Sequence, residues 1–405
     1  MTGLKRTTWN FYSAGRLVFG SGAIRDLPRY LERTPSAKVL IVTDQKLAEA
    51  GLVDRVIGPL RKSGRTIEVF DGGEAEPSIA VAESAISRAR SAKPDLILGL
   101  GGGSNMDLAK ITANIYTHGG NLSDFFGYDK VPGPLCPLVC VPTTAGTGSE
   151  VSHAAVLTDP ENQMKVSTLS QYFRPALAVV DPELTLTCPP KATADSGIDA
   201  LTHAIEAYTA VDHTELAVPL GEGWPYDGKT PLGDCLAEKA IALVGEHLVE
   251  AVNEPENLAA REGMALAATL AGLAFSNCAV AVVHALEYPL GGALHCSHGA
   301  GNGLLLPYVM RFNLPARQEE LAKIAELLGE DVSGKSLEEA APLAINAVER
   351  LRKAIGIPER IRDLGGTREE LPSFAAKAYE IKRLMLLNPR LPSEADLLGI
   401  LESAF

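Results

Sequence analysis

The chain has 405 residues, 46% of them hydrophobic and 21% charged, and a formal net charge of −13 at pH 7. That length exceeds one typical core and implies two domains. With no basic run to track a phosphate backbone, the acidity excludes a nucleic-acid partner.

The stretch Met1 to Trp9 has no apolar segment of the kind a secretory signal needs. From there, Arg16 to Gly20 reads as one strand of a small antiparallel add-on. Strand and helix signals then alternate: a strand over Lys38–Asp44, a helix from Gln45 to Ser63, a strand over Thr66–Phe70 and a helix over Ile79–Ala92. Two further strands follow, Pro94–Leu100 and Leu138–Pro142. Continuous apolar strands alternating with helices imply a parallel sheet with helices on both faces. Beyond Pro189 the β-branched runs thin out, and helical periodicity persists to the C-terminus. The expected division is therefore an α/β domain over residues 1–188 and an all-α domain over residues 189–405. The Gly- and Pro-rich run Pro219–Pro231, carrying Trp224 and Tyr226, predicts a long loop between helices. Leu266 to Ala285 is the most apolar stretch. Ser276, Asn277 and Cys278 interrupt it, so it reads as buried helix and no membrane partner is expected. The six cysteines show no paired short spacing, which points to reduced thiols in a cytoplasmic protein.

Two turns could cradle an anion. Gly101-Gly102-Gly103-Ser104 joins a strand to a helix whose free N–H groups favour a pyrophosphate. It is neither the spaced-glycine dinucleotide fingerprint nor a Walker A loop, and alone it reads equally well as a tight turn. Pro142 to Glu150, with Thr143, Thr144 and Thr147, follows a neighbouring strand and strengthens the reading: two such turns at one sheet edge make a nucleotide crevice. Asp44, at the end of the first strand, fits two roles equally. It could accept the ribose hydroxyls of NAD and repel the 2′-phosphate of NADP, or it could cap the helix that follows.

In the second half, Asp199 and His203 are offset by i, i+4 in a helix-favouring run, which puts them on one face. His284 and His298 lie in apolar or glycine-flanked settings downstream. A lone histidine is usually a satisfied core or cap residue. Three of the chain's eight histidines beside an offset carboxylate instead suggest a catalytic divalent metal, Fe²⁺ or Zn²⁺, with a coordination position left open. His153, just past the Thr-rich turn, could face the substrate but reads more readily as a surface residue, and His295 does not fit the metal pattern.

These motifs together resemble the iron-containing (group III) alcohol dehydrogenases over nearly the whole chain. The matching pieces are Phe19 to Ala23, Gly101 to Lys110, Pro142 to Val151, Asp199 to Tyr208, and His284 through Gly299. The resemblance implies an N-terminal dinucleotide domain and a helical C-terminal domain, with a metal held by Asp199, His203, His284 and His298 in the cleft between them. It implies cofactor contacts from Asp44, Gly102, Gly103, Ser104, Thr143, Thr144, Thr147 and Lys165, and a homodimer. Two positions depart from the pattern. Tyr288 stands where many members have a second histidine four residues after the first, and Glu76 stands before Pro77 where many have asparagine. Both, with the Trp224 loop, resemble the hydroxyacid–oxoacid transhydrogenase branch of the superfamily. Tyr288, one helical turn from His284, would either relay a proton at the site or only pack there.

The expected function is NAD-linked hydride transfer, with NADP the lesser choice, between a small primary alcohol or hydroxyacid and its aldehyde or ketone. The alternatives are a transhydrogenase that keeps its nicotinamide bound, a metal-dependent lyase-type sugar enzyme related to dehydroquinate synthase, which would need a basic phosphate-binding substrate pocket that the sequence does not display, and a non-catalytic nucleotide-binding protein.

Overall fold

The computed structural model describes residues 6–159, 164–217 and 224–405. Residues Tyr12–Cys188 form one compact unit. Its strands are β1 (Leu17–Phe19), β2 (Lys38–Val42), β3 (Thr66–Phe70), β4 (Leu96–Gly101), β5 (Gly127–Tyr128), β6 (Leu138–Pro142), β7 (Ala154–Asp159), β8 (Met164–Leu169) and β9 (Leu177–Val180). Six of them make an all-parallel sheet in the order β1-β9-β6-β4-β2-β3. Alternation along the strands gives the sheet two buried faces. Val39, Ile41, Leu98 and Val141 pack against the helix Leu52–Lys62 on one side. Leu40, Val42, Ile97 and Cys140 pack against the helices Ile79–Ala92 and Gly103–His118 on the other. Each fully buried branched side chain of this kind contributes about 2 kcal/mol.

Two sequence expectations change in this unit. Leu17–Phe19 is no antiparallel add-on; it is the edge strand of the main sheet, parallel to β9. Its three residues are too few to reveal their partner, which lies far downstream in the chain. The one antiparallel pair among the described strands is β7 with β8, in a separate three-stranded sheet completed by β5. The helix expected over Gln45–Ser63 is two helices, Gln45–Glu49 and Leu52–Lys62, divided at Gly51, whose φ of +75° ends the first turn.

Pro189–Phe405 forms the second unit, which also takes in residues 6–11. That N-terminal stretch does not stay with the α/β unit as expected. Asn10 donates its backbone N–H to Asp227 Oδ2 at 2.7 Å, and Arg6 pairs with the same carboxylate. At the centre of this unit lies the helix Pro190–Thr209, buried on nearly every side. It packs against the helices Pro231–Asn253, Leu258–Phe275 and His298–Asn313. Leu258–Phe275 is long and apolar enough to cross a membrane, but 72% of it is buried inside the protein. Of the expected Trp224 loop, residues 219–223 lie outside the described residues. The remainder is tied down by backbone bonds from Asp227 to Asn277 and from Lys229 to Val211, both 2.8 Å.

Candidate functional site

Asp199 and His203 both sit mid-way along Pro190–Thr209, buried to 2% and 5% exposure. Glu206 follows on the same face at i+7 from Asp199. Its carboxylate reaches the start of the helix Val282–Leu294 and accepts three hydrogen bonds there. Ala281 N donates at 2.9 Å, Val283 N at 2.7 Å and His284 Nδ1 at 2.6 Å. One buried carboxylate thus satisfies two N–H groups that the helix leaves open and fixes the His284 ring.

His298 opens the next helix, His298–Asn313, where Ser297 is the N-cap and donates its hydroxyl to Asp195 Oδ2 at 2.6 Å. Gly299 permits this docking, since a Cβ there would lie 1.9 Å from the carbonyl oxygen of Asp195. Glu287, fully buried, accepts from His298 Nδ1 at 2.5 Å. With Nδ1 of each ring donating to a carboxylate, both histidines present a bare Nε2 lone pair to the site.

Ligand atoms of Asp199, His284 and His298 lie within 4.8 Å of one another. His203 stands beside them, its ring stacked 4.8 Å from that of His284 and 4.2 Å from Phe275. Its Nδ1 is 3.8 Å from Asp199 Oδ2. Asn302 Nδ2 points into the group, 2.8 Å from Asp199 Oδ1 and 3.2 Å from Nε2 of both His284 and His298. An amide nitrogen carries two hydrogens and cannot satisfy three acceptors. A carboxylate and two imidazole lone pairs converging on one point fit a divalent cation. Burial opposes the charge on Asp199 more than any single neighbour favours it. Together, His203, His298, His284 and the Asn302 hydrogen bond still hold its carboxyl below the usual carboxylate range.

Tyr288 is half-buried beside this group, its ring centre 6.2 Å from that of His298. His295 is exposed and ends its helix in a left-handed conformation. His153 is fully buried, which corrects the surface reading: it lies next to β7, where its carbonyl accepts from Ser170 N at 2.9 Å. Glu206, Glu287 and Asn302 escaped the sequence reading. The signal for them was helical spacing: Glu206 lies three residues after His203, Glu287 three after His284 and Asn302 four after His298.

The expected cofactor residues all belong to the α/β unit. Gly101 pairs with Pro142 in register, so the two turns leave the sheet side by side. Gly102 and Gly103 begin the helix Gly103–His118. A Cβ on Gly103 would lie 2.8 Å from Thr147 Cγ2, and one on Gly102 3.4 Å from Thr144 Oγ1. Thr143 N donates to Gly101 O at 2.9 Å, binding the turns together. Asp44 caps the short helix through Leu47 N at 3.1 Å, and its other oxygen accepts from Asn105 Nδ2 at 2.6 Å. Lys165 Nζ lies 3.0 Å from Glu76 Oε2, and the backbone N–H of Glu76 donates to Ser104 Oγ at 3.3 Å. The departure at Glu76 is thus paired with an expected cofactor contact.

Residues 14–182 match the family profile described as iron-containing alcohol dehydrogenase, and residues 221–405 match that of the Fe-containing alcohol dehydrogenase family, C-terminal. The chain belongs to the iron-containing alcohol dehydrogenase family. The NAD-dependent methanol dehydrogenase of Bacillus methanolicus is 36% identical, over 98% of this chain and 99% of that protein. The 1,3-propanediol dehydrogenase of Klebsiella pneumoniae is 38% identical over 96% of each. A solved structure of 1,3-propanediol oxidoreductase superposes with a TM-score of 0.91 at 37% identity, covering 98% of this chain and 100% of that one. The chain is accordingly an oxidoreductase, an NAD(P)-linked alcohol dehydrogenase with the two-part fold of its family. The relatives named here are dehydrogenases, which favours this reading over the transhydrogenase one.

Proposed function

We propose that this chain interconverts a small primary alcohol or hydroxyacid with its aldehyde or ketone, using NAD and a divalent metal, Fe²⁺ before Zn²⁺. The observation that carries the metal assignment is the convergence of three acceptors, Asp199 Oδ1, His284 Nε2 and His298 Nε2, on one amide nitrogen. A bound divalent metal would supply Lewis acidity toward the substrate oxygen, and the nicotinamide would accept or return hydride. Asp199, His203, His284 and His298 hold that metal. Glu206 and Glu287 keep the rings of His284 and His298 turned toward it.

Gly102, Gly103, Ser104, Thr143, Thr144 and Thr147 offer backbone amides and hydroxyls to the cofactor pyrophosphate, with the start of the helix Gly103–His118 favouring its charge. Asp44 contributes to the choice of NAD over NADP, and Lys165 completes the cofactor contacts. Tyr288 passes the alcohol proton away from the site, since its ring stands beside His298. The protein works in the cytoplasm as a homodimer. NADH formation should be followed over a panel of short primary alcohols, diols and hydroxyacids, on protein reconstituted separately with Fe²⁺ and Zn²⁺. Metal-dependent turnover on at least one class supports the proposal, and absence of turnover with either metal overturns it.

A further inference from the structure

A second site lies well away from the metal ligands. A cavity of about 600 Å³ opens on the helical unit where His298–Asn313 and Leu337–Ala354 meet the turn at Glu359 and Arg360. Its nearest lining residues on the His298 helix, Tyr308 and Arg311, are roughly 15–20 Å along that helix from His298 at 1.5 Å per residue.

The lining is strongly basic for a chain whose net charge is −13. Arg311, Arg350, Arg352, Lys353 and Arg360 line it with two carboxylates, Glu349 and Glu359, and Arg350 also pairs with Glu330 beyond the lining, so five cations meet three anions. The guanidinium carbons of Arg311, Arg352 and Arg360 all lie within 5.8 Å of the centre of the Tyr308 ring, at 5.5, 5.4 and 5.8 Å. Attraction to the ring face offsets part of the repulsion among these three cations and holds them together. Glu349 Oε1 accepts from Arg311 Nη2 at 2.6 Å but stays 4.0 Å from Arg352 Nη2. Arg352 is 2% exposed. Its Nη1 donates to Leu304 O at 2.8 Å, while its Nε is buried with no hydrogen-bond partner among the described residues. A buried guanidinium N–H without an acceptor is costly. Gathering like charges around it raises that cost further, and an anion in the cavity would offset both.

We propose that this cavity binds a polyphosphate-bearing anion. The excess of two positive charges is more than one carboxylate can neutralise. Guanidinium forks from two helices and a turn suit phosphate oxygens spread over more than one phosphorus centre. The volume is also in the range of small-molecule sites and generous for a single phosphate. Arg311, Arg350 and Arg360 supply the contacts at the mouth, and Arg352 anchors the base.

The test is isothermal titration of full-length, metal-loaded protein saturated with NAD⁺, so that the pyrophosphate-favouring turns of the α/β unit are already filled. Inorganic pyrophosphate and fructose 1,6-bisphosphate are titrated separately at constant ionic strength, with bound metal measured afterwards to exclude heats of chelation. One saturable site per chain is expected, weakened at least tenfold in Arg311→Ala and in Arg360→Ala. The exposed Arg350→Glu variant covers the case in which either alanine variant loses its fold, and it should weaken binding by at least as much. Tighter binding of the sugar bisphosphate would assign an organic phosphate ester, and equal or tighter binding of pyrophosphate the inorganic anion. No saturable heat at millimolar anion, or unchanged affinity in folded variants, overturns the proposal.

Discussion

Glu287 Oε2 accepts the Nδ1 proton of His298 at 2.5 Å from a carboxyl group with no exposure to solvent. Glu206 does the same for His284 at 2.6 Å. The two histidines therefore share one arrangement: a carboxylate behind each ring selects the tautomer that leaves Nε2 facing Asp199. Partners of this kind ordinarily change metal affinity by about 10–100-fold when removed.

Glu287→Gln should weaken metal binding by about tenfold and Glu287→Ala by closer to a hundredfold. Competition against a chromophoric chelator reads this directly. If both variants hold metal as tightly as the parent, the carboxylate only fills space.

Glu206→Gln should cost more stability than Glu287→Gln. Its carboxylate also accepts from the backbone of Ala281 and Val283. An amide group would turn its NH₂ toward one of those N–H groups and leave it unsatisfied, a loss of about 2–3 kcal/mol. Chemical denaturation of the two variants with metal removed checks the order.

The cluster of Asp199, His284 and His298, with His203 beside it, was legible because i, i+4 spacing and glycine-flanked histidines are local signals. The carboxylates behind them were not: a lone glutamate on a helix is read as solvent-facing, and only the packing of three helices turns Glu206 and Glu287 inward. The alternation of strand and helix announced the parallel sheet. The edge position of Leu17–Phe19 escaped because its partner β9 lies at the far end of the unit. Sequence left Asp44 open between cap and ribose acceptor. The structure shows the cap, and it adds a bond from Asn105 that no local pattern reveals.

Gly103→Ala should raise the KM for NAD by about tenfold or more while leaving metal content unchanged. The new Cβ would lie 2.8 Å from Thr147 Cγ2 and force the two turns apart. Thr147→Ser removes that methyl group, so the double variant should recover part of the loss. A silent Gly103→Ala would mean that the spacing of the turns does not matter to the cofactor.

Asp44→Ala should cost about 1 kcal/mol through the lost helix cap and should improve the use of NADP relative to NAD. Parallel kinetics with the two cofactors test the second effect and thermal denaturation the first. A parent enzyme that uses NADP as well as NAD would remove the selective role proposed for Asp44.

Thiol reactivity should follow burial. Burial pushes the Cys140 thiol up to about 12 and that of Cys278 up to about 11, whereas Cys235 is exposed. Alkylation requires the thiolate, and a raised pKa depletes it at pH 8. Brief iodoacetamide treatment followed by peptide mass spectrometry should label Cys235 well before Cys140 or Cys278.

Tyr288→Phe should slow alcohol oxidation by about a hundredfold or more without loss of metal, a magnitude typical of a positioned proton-transfer group. Unchanged turnover would leave Tyr288 a packing residue beside His298.

On the proposed function, Asp199, His203, His284 and His298 hold one metal ion. Elemental analysis of purified parent and His284→Ala protein after reconstitution with Fe²⁺ tests it most directly, with circular dichroism as the check on folding. One ion per chain is expected in the parent, with loss of that ion in a variant that remains helical. Full occupancy in His284→Ala would contradict it.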